Sequence, residues 1–272
     1  MVEMLFEVRN LSKKFGYRSG LLRRQHVIEA VKSVNFTLRK GHTLAIIGEN
    51  GSGKSTLAKM LSGVTKPSTG ELLIDGHRLS YGDYAYRSQH IRMIFQDPST
   101  SLNPRQRIGQ LLDIPLKLNT TLDAAAREQR IYHTLRQVGL LPNHADYYPH
   151  MLASGQKQRI ALARALILRP KVIVADEALA SLDMSIRSQI INLMLELQEK
   201  HGIAYIYVTH HLGMMKHISD QVIVMHKGEV VERGSTAEVL AAPLHEQTKR
   251  LVASHFGEAL TADAWRCDGD GF

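Results

Sequence analysis

Gly48-Glu49-Asn50-Gly51-Ser52-Gly53-Lys54-Ser55-Thr56 is the stretch of the chain whose residue types and spacing most directly imply chemistry. It fits the phosphate-loop pattern, with a short apolar run before it (Thr43 to Ile47) and a helical run after it (Ser55 to Leu61). Glycines let successive backbone N–H groups turn toward phosphate oxygens, and the helix N-terminus adds favourable potential. Lys54 is placed to reach β and γ phosphates, and Ser55 to offer its hydroxyl to Mg²⁺. A structural Gly-rich turn accounts for the glycines but not for Lys54-Ser55 in register.

A second constellation is Asp176-Glu177, directly after the apolar run Val172 to Ala175. Asp176 can hold the hydrated Mg²⁺ and Glu177 can polarise an attacking water. Alone, such a pair reads better as a solvated turn or a helix start; beside a phosphate loop the chemical reading prevails. A third stretch, Leu152-Ala153-Ser154-Gly155-Gln156-Lys157-Gln158-Arg159, opens a helix running through Ile160 to Leu166.

These residues need elements to hold them. Alternation in Leu5-Phe6-Glu7-Val8 and Val34-Asn35-Phe36-Thr37-Leu38 predicts half-buried strands near the start, an antiparallel β region. Three runs apolar on both faces (43–47, 172–175, 204–208) separated by helical stretches predict an α/β fold with a mainly parallel sheet. Ligands in such sheets bind beyond the carboxyl ends of the strands, where all three polar clusters fall, Thr209-His210 being the last. From about 97 to 168 the spacing of Ile108, Leu111, Leu112 and of Ile131, Leu135, Val138 predicts a helical subdomain. Pro98 and Pro104 mark a loop, and a plausible hinge, at its entrance.

A chain of 272 residues, 44% hydrophobic and 22% charged, supports one domain with a smaller lobe. No apolar run approaches bilayer length and no signal peptide is read, so a cytosolic location is expected. The single Cys, Cys267, excludes an internal disulfide framework or a multi-thiolate cluster. A formal charge of +8 suits nucleic acid, anionic headgroups or acidic ligands. The basic residues are dispersed, the densest group being Lys13, Lys14, Arg18, Arg23 and Arg24 in a loop-like stretch, which reads first as solvated and second as membrane-proximal. With 6% aromatics the chain does not resemble a single-strand groove, and no nucleic acid is expected.

On the phosphate loop, the acidic pair and Leu152 to Arg159, the chain resembles ABC transporter ATPases. The resemblance implies a P-loop NTPase cassette as a single domain over 1–272. It also implies that Ala153, Ser154, Gly155 and Gln156 stand at the family signature, with Ala153 replacing a serine and Ser154 a glycine. In this family the signature faces the phosphate loop of an opposite subunit, so dimerisation is implied. By the same resemblance Gln96 senses the γ-phosphate, touches Mg²⁺ and links to the membrane subunit; His210 is the switch histidine, followed by His211 where Asp is usual. Asp183, in Ala180-Ser181-Leu182-Asp183, belongs to the loop between subunits, and Phe15 stacks on adenine.

Gly16 to Val27, Gln96 to Pro104 and Pro243 to Leu251 are further similar to the peptide and nickel branch. That implies an extension over about 229–272, a second related ATPase, two permeases, a periplasmic solute-binding protein and a place on the cytoplasmic face of the bacterial inner membrane. Peptides, antimicrobial ones included, or polyamines such as putrescine are the implied cargo. A soluble nucleic-acid- or ribosome-associated ATPase and a regulatory subunit with little hydrolysis are the alternatives.

Overall fold

Antiparallel and parallel sheets meet across one apolar layer in the computed structural model, which describes residues 4–19, 24–96, 101–180 and 182–256. β1 (Met4–Ser19) pairs with β2 (Arg24–Arg39), and β4 (Thr69–Ile74) with β5 (His77–Arg78) completes a sheet of order β2-β1-β4-β5. The second sheet has order β10-β9-β3-β8-β7-β6. Its parallel members are β3 (Thr43–Gly48), β6 (Ile91–Ile94), β7 (Val172–Asp176), β8 (Ala204–Val208) and β9 (Gln221–His226), and β10 (Glu229–Ser235) is an antiparallel edge.

The apolar runs are strands with two buried faces, and their period of two divides the molecule into two cores. Leu44, Ile46, Val172, Val174, Ile206 and Val208 point into the layer shared with the antiparallel sheet and helix α1 (Lys54–Leu61). Ala45, Ile47, Ile173, Ala175, Tyr205 and Tyr207 point the other way, toward most of the remaining helices. Those include α3 (Ile108–Asn119), α4 (Ala124–Gln137) and α5 (Ser154–Leu166), which lie within the stretch read as helical. Ile108, Leu111, Leu112, Ile131, Leu135 and Val138 are all buried there. The expected hinge at Pro98 lies outside the described residues. α2 (Tyr84–His90) precedes β6, and α6 (Met184–His201) lays Ile190, Leu193, Met194 and Leu197 on the core as one stripe.

α7 (Leu212–Ile218) follows β8, while α8 (Thr236–Ala241) and α9 (Glu246–Phe256) close the described chain. Residues assigned to an extension thus add β10 to the main sheet, and Val239, Leu240 and Val252 to its core. No helix among the described residues is long and apolar enough to cross a membrane.

One expectation is corrected. The stretch read as a basic loop before the second strand is mostly ladder: Lys13 pairs with Val31, Phe15 with Ile28, Tyr17 with His26 and Ser19 with Arg24. Alternation of side chains reports burial, and the large apolar side chains described on both arms of this hairpin are exposed, Phe15 at 44%, Val27 at 59% and Ile28 at 54%. Its backbone hydrogen bonds leave no trace in hydropathy. Arg23 lies outside the described residues.

Candidate nucleotide site

β3 is buried along its whole length and delivers Gly48 to the carboxyl edge of the sheet, where the chain turns and re-enters as α1. Two glycines are demanded by close neighbours. A Cβ on Gly48 would stand 2.2 Å from the Met225 carbonyl oxygen, and one on Gly53, at φ 103°, 2.3 Å from that of Ala30. The turn Lys227-Gly228 fastens the loop further, Gly228 N–H donating to Ser52 O at 3.0 Å while Lys32 N–H donates to Gly228 O at 2.7 Å. Lys54 Nζ donates to Gly48 O and Glu49 O, both at 2.8 Å. Burial pulls the Lys54 pKa down, against the nearby carboxylates of Glu177, Asp176 and Glu49. The cavity over the loop measures about 430 Å³; Asn50, Gly51, Gly53, Lys54, Ser55 and Thr56 form its floor. Glu177 closes one side, and Ile28 and Lys227 border it.

β6, β7 and β8 are neighbours in register, Ile94 beside Ala175 and Asp176 beside Val208, so the residues just beyond their ends converge. Asp176 is buried and accepts from Ser55 Oγ at 3.1 Å. Burial pushes its carboxyl pKa up, opposed by that hydrogen bond and by Lys59 and Lys54. Glu177 sits at φ 47°, its N–H donating to Val208 O at 2.9 Å. One of its carboxylate oxygens accepts from Gln96 Nε2 at 3.1 Å, and the other lies 3.1 Å from His210 Nδ1. A carboxylate held by an amide and an imidazole beside a Lys-lined phosphate cradle can orient and polarise a water. Ser55 and Asp176 offer hard oxygen donors side by side, the donor type Mg²⁺ takes.

Other expected residues stand apart. Phe15 does not line the cavity; it is 44% exposed on the hairpin under Lys13 Nζ, 4.9 Å from the ring centre, although its cross-strand partner Ile28 does line it. Ala153, Ser154, Gly155 and Gln156 open α5 away from the cavity, with Ala153 N–H donating to Gln156 Oε1 at 3.0 Å. A Cβ on Gly155 would meet Ile186 Cγ2 at 2.8 Å. Asp183 caps α6, accepting from Ile186 N–H at 2.9 Å; Ser181 lies outside the described residues. Glu49 is exposed, 3.9 Å from His226 Nδ1. Sequence reasoning missed Ile28, Ala30 and the Lys227-Gly228 turn. A Lys-Gly hairpin between two strands carries no sign of what it leans on.

A phosphate-loop cavity at the carboxyl edge of a parallel sheet, backed by an antiparallel sheet, with α3 to α5 inserted between β6 and β7, is the layout of an ATP-binding cassette. The family described as ABC transporter matches residues 31–180, and the chain belongs to that family, as an ATPase of the transporter class. It is 75% identical over 268 residues (98% of this chain, 100% of the relative) to the putrescine export system ATP-binding protein SapF of Escherichia coli K12. The same identity and coverage hold for the peptide transport system ATP-binding protein SapF of Salmonella typhimurium LT2. Among solved structures, a dimeric ATP-binding cassette in a post-hydrolysis state with ADP and Pi superposes with a TM-score of 0.73 at 28% identity, over 85% of this chain and 99% of that one.

Proposed function

We propose that this chain is the ATP-hydrolysing subunit of a transporter for peptides or polyamines such as putrescine, working as a single cassette domain over 1–272 with its helical part at about 97–168. The observation that carries the reading is the placement of Glu177, fixed between Gln96 and His210 at the mouth of the phosphate-loop cavity. Glu177 takes the proton of the attacking water while Gln96 and His210 hold its two oxygens apart and aimed. Backbone N–H groups of Gly51 to Thr56 and the α1 N-terminus face the phosphates, and Lys54 exchanges its two loop carbonyls for phosphate oxygens. Ser55, Asp176 and Gln96 would hold Mg²⁺, which supplies charge neutralisation at the β and γ phosphates.

The cargo rests on the two relatives, whose names give peptide transport and putrescine export. That both are subunits of transport systems is what sets the nucleic-acid reading aside. Since Ala153 to Gln156 and Asp183 stand away from the cavity, we assign them to the nucleotide of an opposite, related ATPase, a pairing supported by the dimeric cassette of similar fold. Phe15, beside Ile28 at the rim, is assigned to the adenine ring. Next to Gln96, a groove of about 870 Å³ exposes Val64, Tyr84, Phe95, Ile114 and Leu118, and this is where we place the permease contact. The subunit then sits on the cytoplasmic face of the inner membrane, with two permeases and a periplasmic solute-binding protein. The test is Mg²⁺-dependent ATP hydrolysis by the complex copurified with its membrane subunits. Glu177→Gln in this chain alone is expected to bind ATP and lose hydrolysis; unchanged hydrolysis assigns the chemistry to the partner ATPase.

A further inference from the structure

Four aromatic rings run in a line from the candidate site to the last described helix. His210, 3.1 Å from Glu177 through Nδ1, packs at a tilt against His211 with ring centres 4.3 Å apart and planes at 37°. His211 meets His255 edge-on at 6.1 Å and 69°, and His255 meets Phe256 at 5.4 Å and 76°. The last two belong to α9, whose rings rest on Gly213 in the first turn of α7: a Cβ there would lie 3.8 Å from His255 Nε2 and 3.9 Å from Phe256 Cε1.

The His210 side chain is 45% exposed, so the rest of the protein does little to choose its orientation; Glu177 holds one edge and the His211 ring covers a face. The groups facing His211 come from four elements: His210 on its own turn, Arg187 on α6, His255 on α9 and Glu177 at the end of β7. Burial first, then the neighbouring His210, Arg187 and His255, draw the His211 pKa down, with Glu177 alone opposing. Above that lowered pKa the ring is neutral and packs against His210 without repelling it. As pH falls through it, the ring gains a charge that faces Arg187, and the contact weakens.

We propose that His211 and His255 are positioning residues for His210: helix α9 fixes the His211 ring, and that ring fixes the orientation in which His210 meets Glu177 and the γ-phosphate. This rests on the reading of His210 as a working member of the site. The C-terminal helix is thereby part of the hydrolytic machinery, although it does not line the phosphate-loop cavity.

Steady-state ATP hydrolysis by the copurified transporter complex tests this, with His210→Ala, His211→Ala, His211→Phe, His255→Ala and the His211→Ala/His255→Ala double variant. His211→Ala is expected to lower kcat by about 3- to 10-fold, the scale of one ring contact, with KM for ATP unchanged. His211→Phe keeps a flat ring and is expected to retain most of kcat while losing the acid-side decline that belongs to His211. His255 is exposed at the end of α9, so His255→Ala folds; a smaller fall in kcat is expected, and the double variant should be no slower than His211→Ala alone. A Phe variant as slow as the Ala variant, additive losses, or a His255→Ala complex with wild-type kcat overturns the proposal while leaving the site reading intact. If His210→Ala itself leaves kcat unchanged, the reading of the site falls and takes this inference with it.

Discussion

The phosphate loop before α1 and the stretch Leu152 to Gln156 before α5 are both glycine-bearing entries into a helix, and the protein fastens them differently. The first is clamped by its own chain: Met225 and Ala30 carbonyls press on Gly48 and Gly53, and Gly228 holds Ser52. The second leaves Ala153 and Ser154 exposed between the buried Leu152 and a Gly155 that abuts Ile186. A surface rigid from within is ready to receive phosphate, whereas an exposed helix start that does not line the phosphate-loop cavity is suited to meet another surface. On the pairing proposed above, one subunit carries one finished half-site and one unfinished half.

The sharpest way to break this contrast is Glu177→Gln, which should reduce hydrolysis at the finished half by about 10²- to 10⁴-fold, the typical worth of a general base, with ATP binding retained in a calorimetric titration. Next comes Gly53→Ala. Its Cβ collides with Ala30 O at 2.3 Å at φ 103°, and the forced shift should cost about 1–3 kcal/mol and most ATP affinity. Gly51, at φ 79° with nothing within 4 Å, is the internal control, where Ala should cost only about 1–2 kcal/mol from backbone handedness. Equal losses at the two positions would refute the clamp.

Asp176→Asn separates function from stability. Because the Asp176 pKa is raised in the folded state, the fold binds this proton more tightly than the unfolded chain does. Stability therefore falls as pH rises from the ordinary carboxylate range through that raised value. In thermal melts without nucleotide, the Asn variant should lack that fall and melt no lower than wild type at neutral pH, yet lose Mg²⁺-dependent hydrolysis. The smallest effect belongs to the unfinished half: Ala153→Ser adds an N-cap oxygen to α5, gaining about 0.5–2 kcal/mol, and restores a hydroxyl where the family signature carries one. A modest rise in ATPase activity of the ATPase pair is expected; unchanged activity would mean that the hydroxyl missing at Ala153 costs the opposite nucleotide nothing.

What the sequence made legible follows from what each signal reports. Strands β3, β7 and β8 were readable because burial on both faces leaves an unbroken apolar run, and the loop because Lys54-Ser55 in register has no structural substitute. Gln96, Glu177 and His210 are separated by 81 and 33 positions, and only the register of three neighbouring strands brings them together. The order of motifs stood in for that register. The hairpin beyond Lys13, the clamp by Ala30 and Gly228, and the rings of α9 were illegible for one reason. Each depends on backbone pairing or a local approach between distant segments, which residue type does not encode.

Glu177 holds a backbone angle, φ 47°, that L-residues with a Cβ resist by about 1–2 kcal/mol. Glycine relieves that cost but has no carboxylate, and asparagine tolerates the angle but cannot take a proton from water. Folding and chemistry therefore rank the candidates for this position in opposite orders. If Glu177 is the general base proposed above, a chain released from the need to hydrolyse would gain stability by replacing it, and the residue at position 177 would record that release.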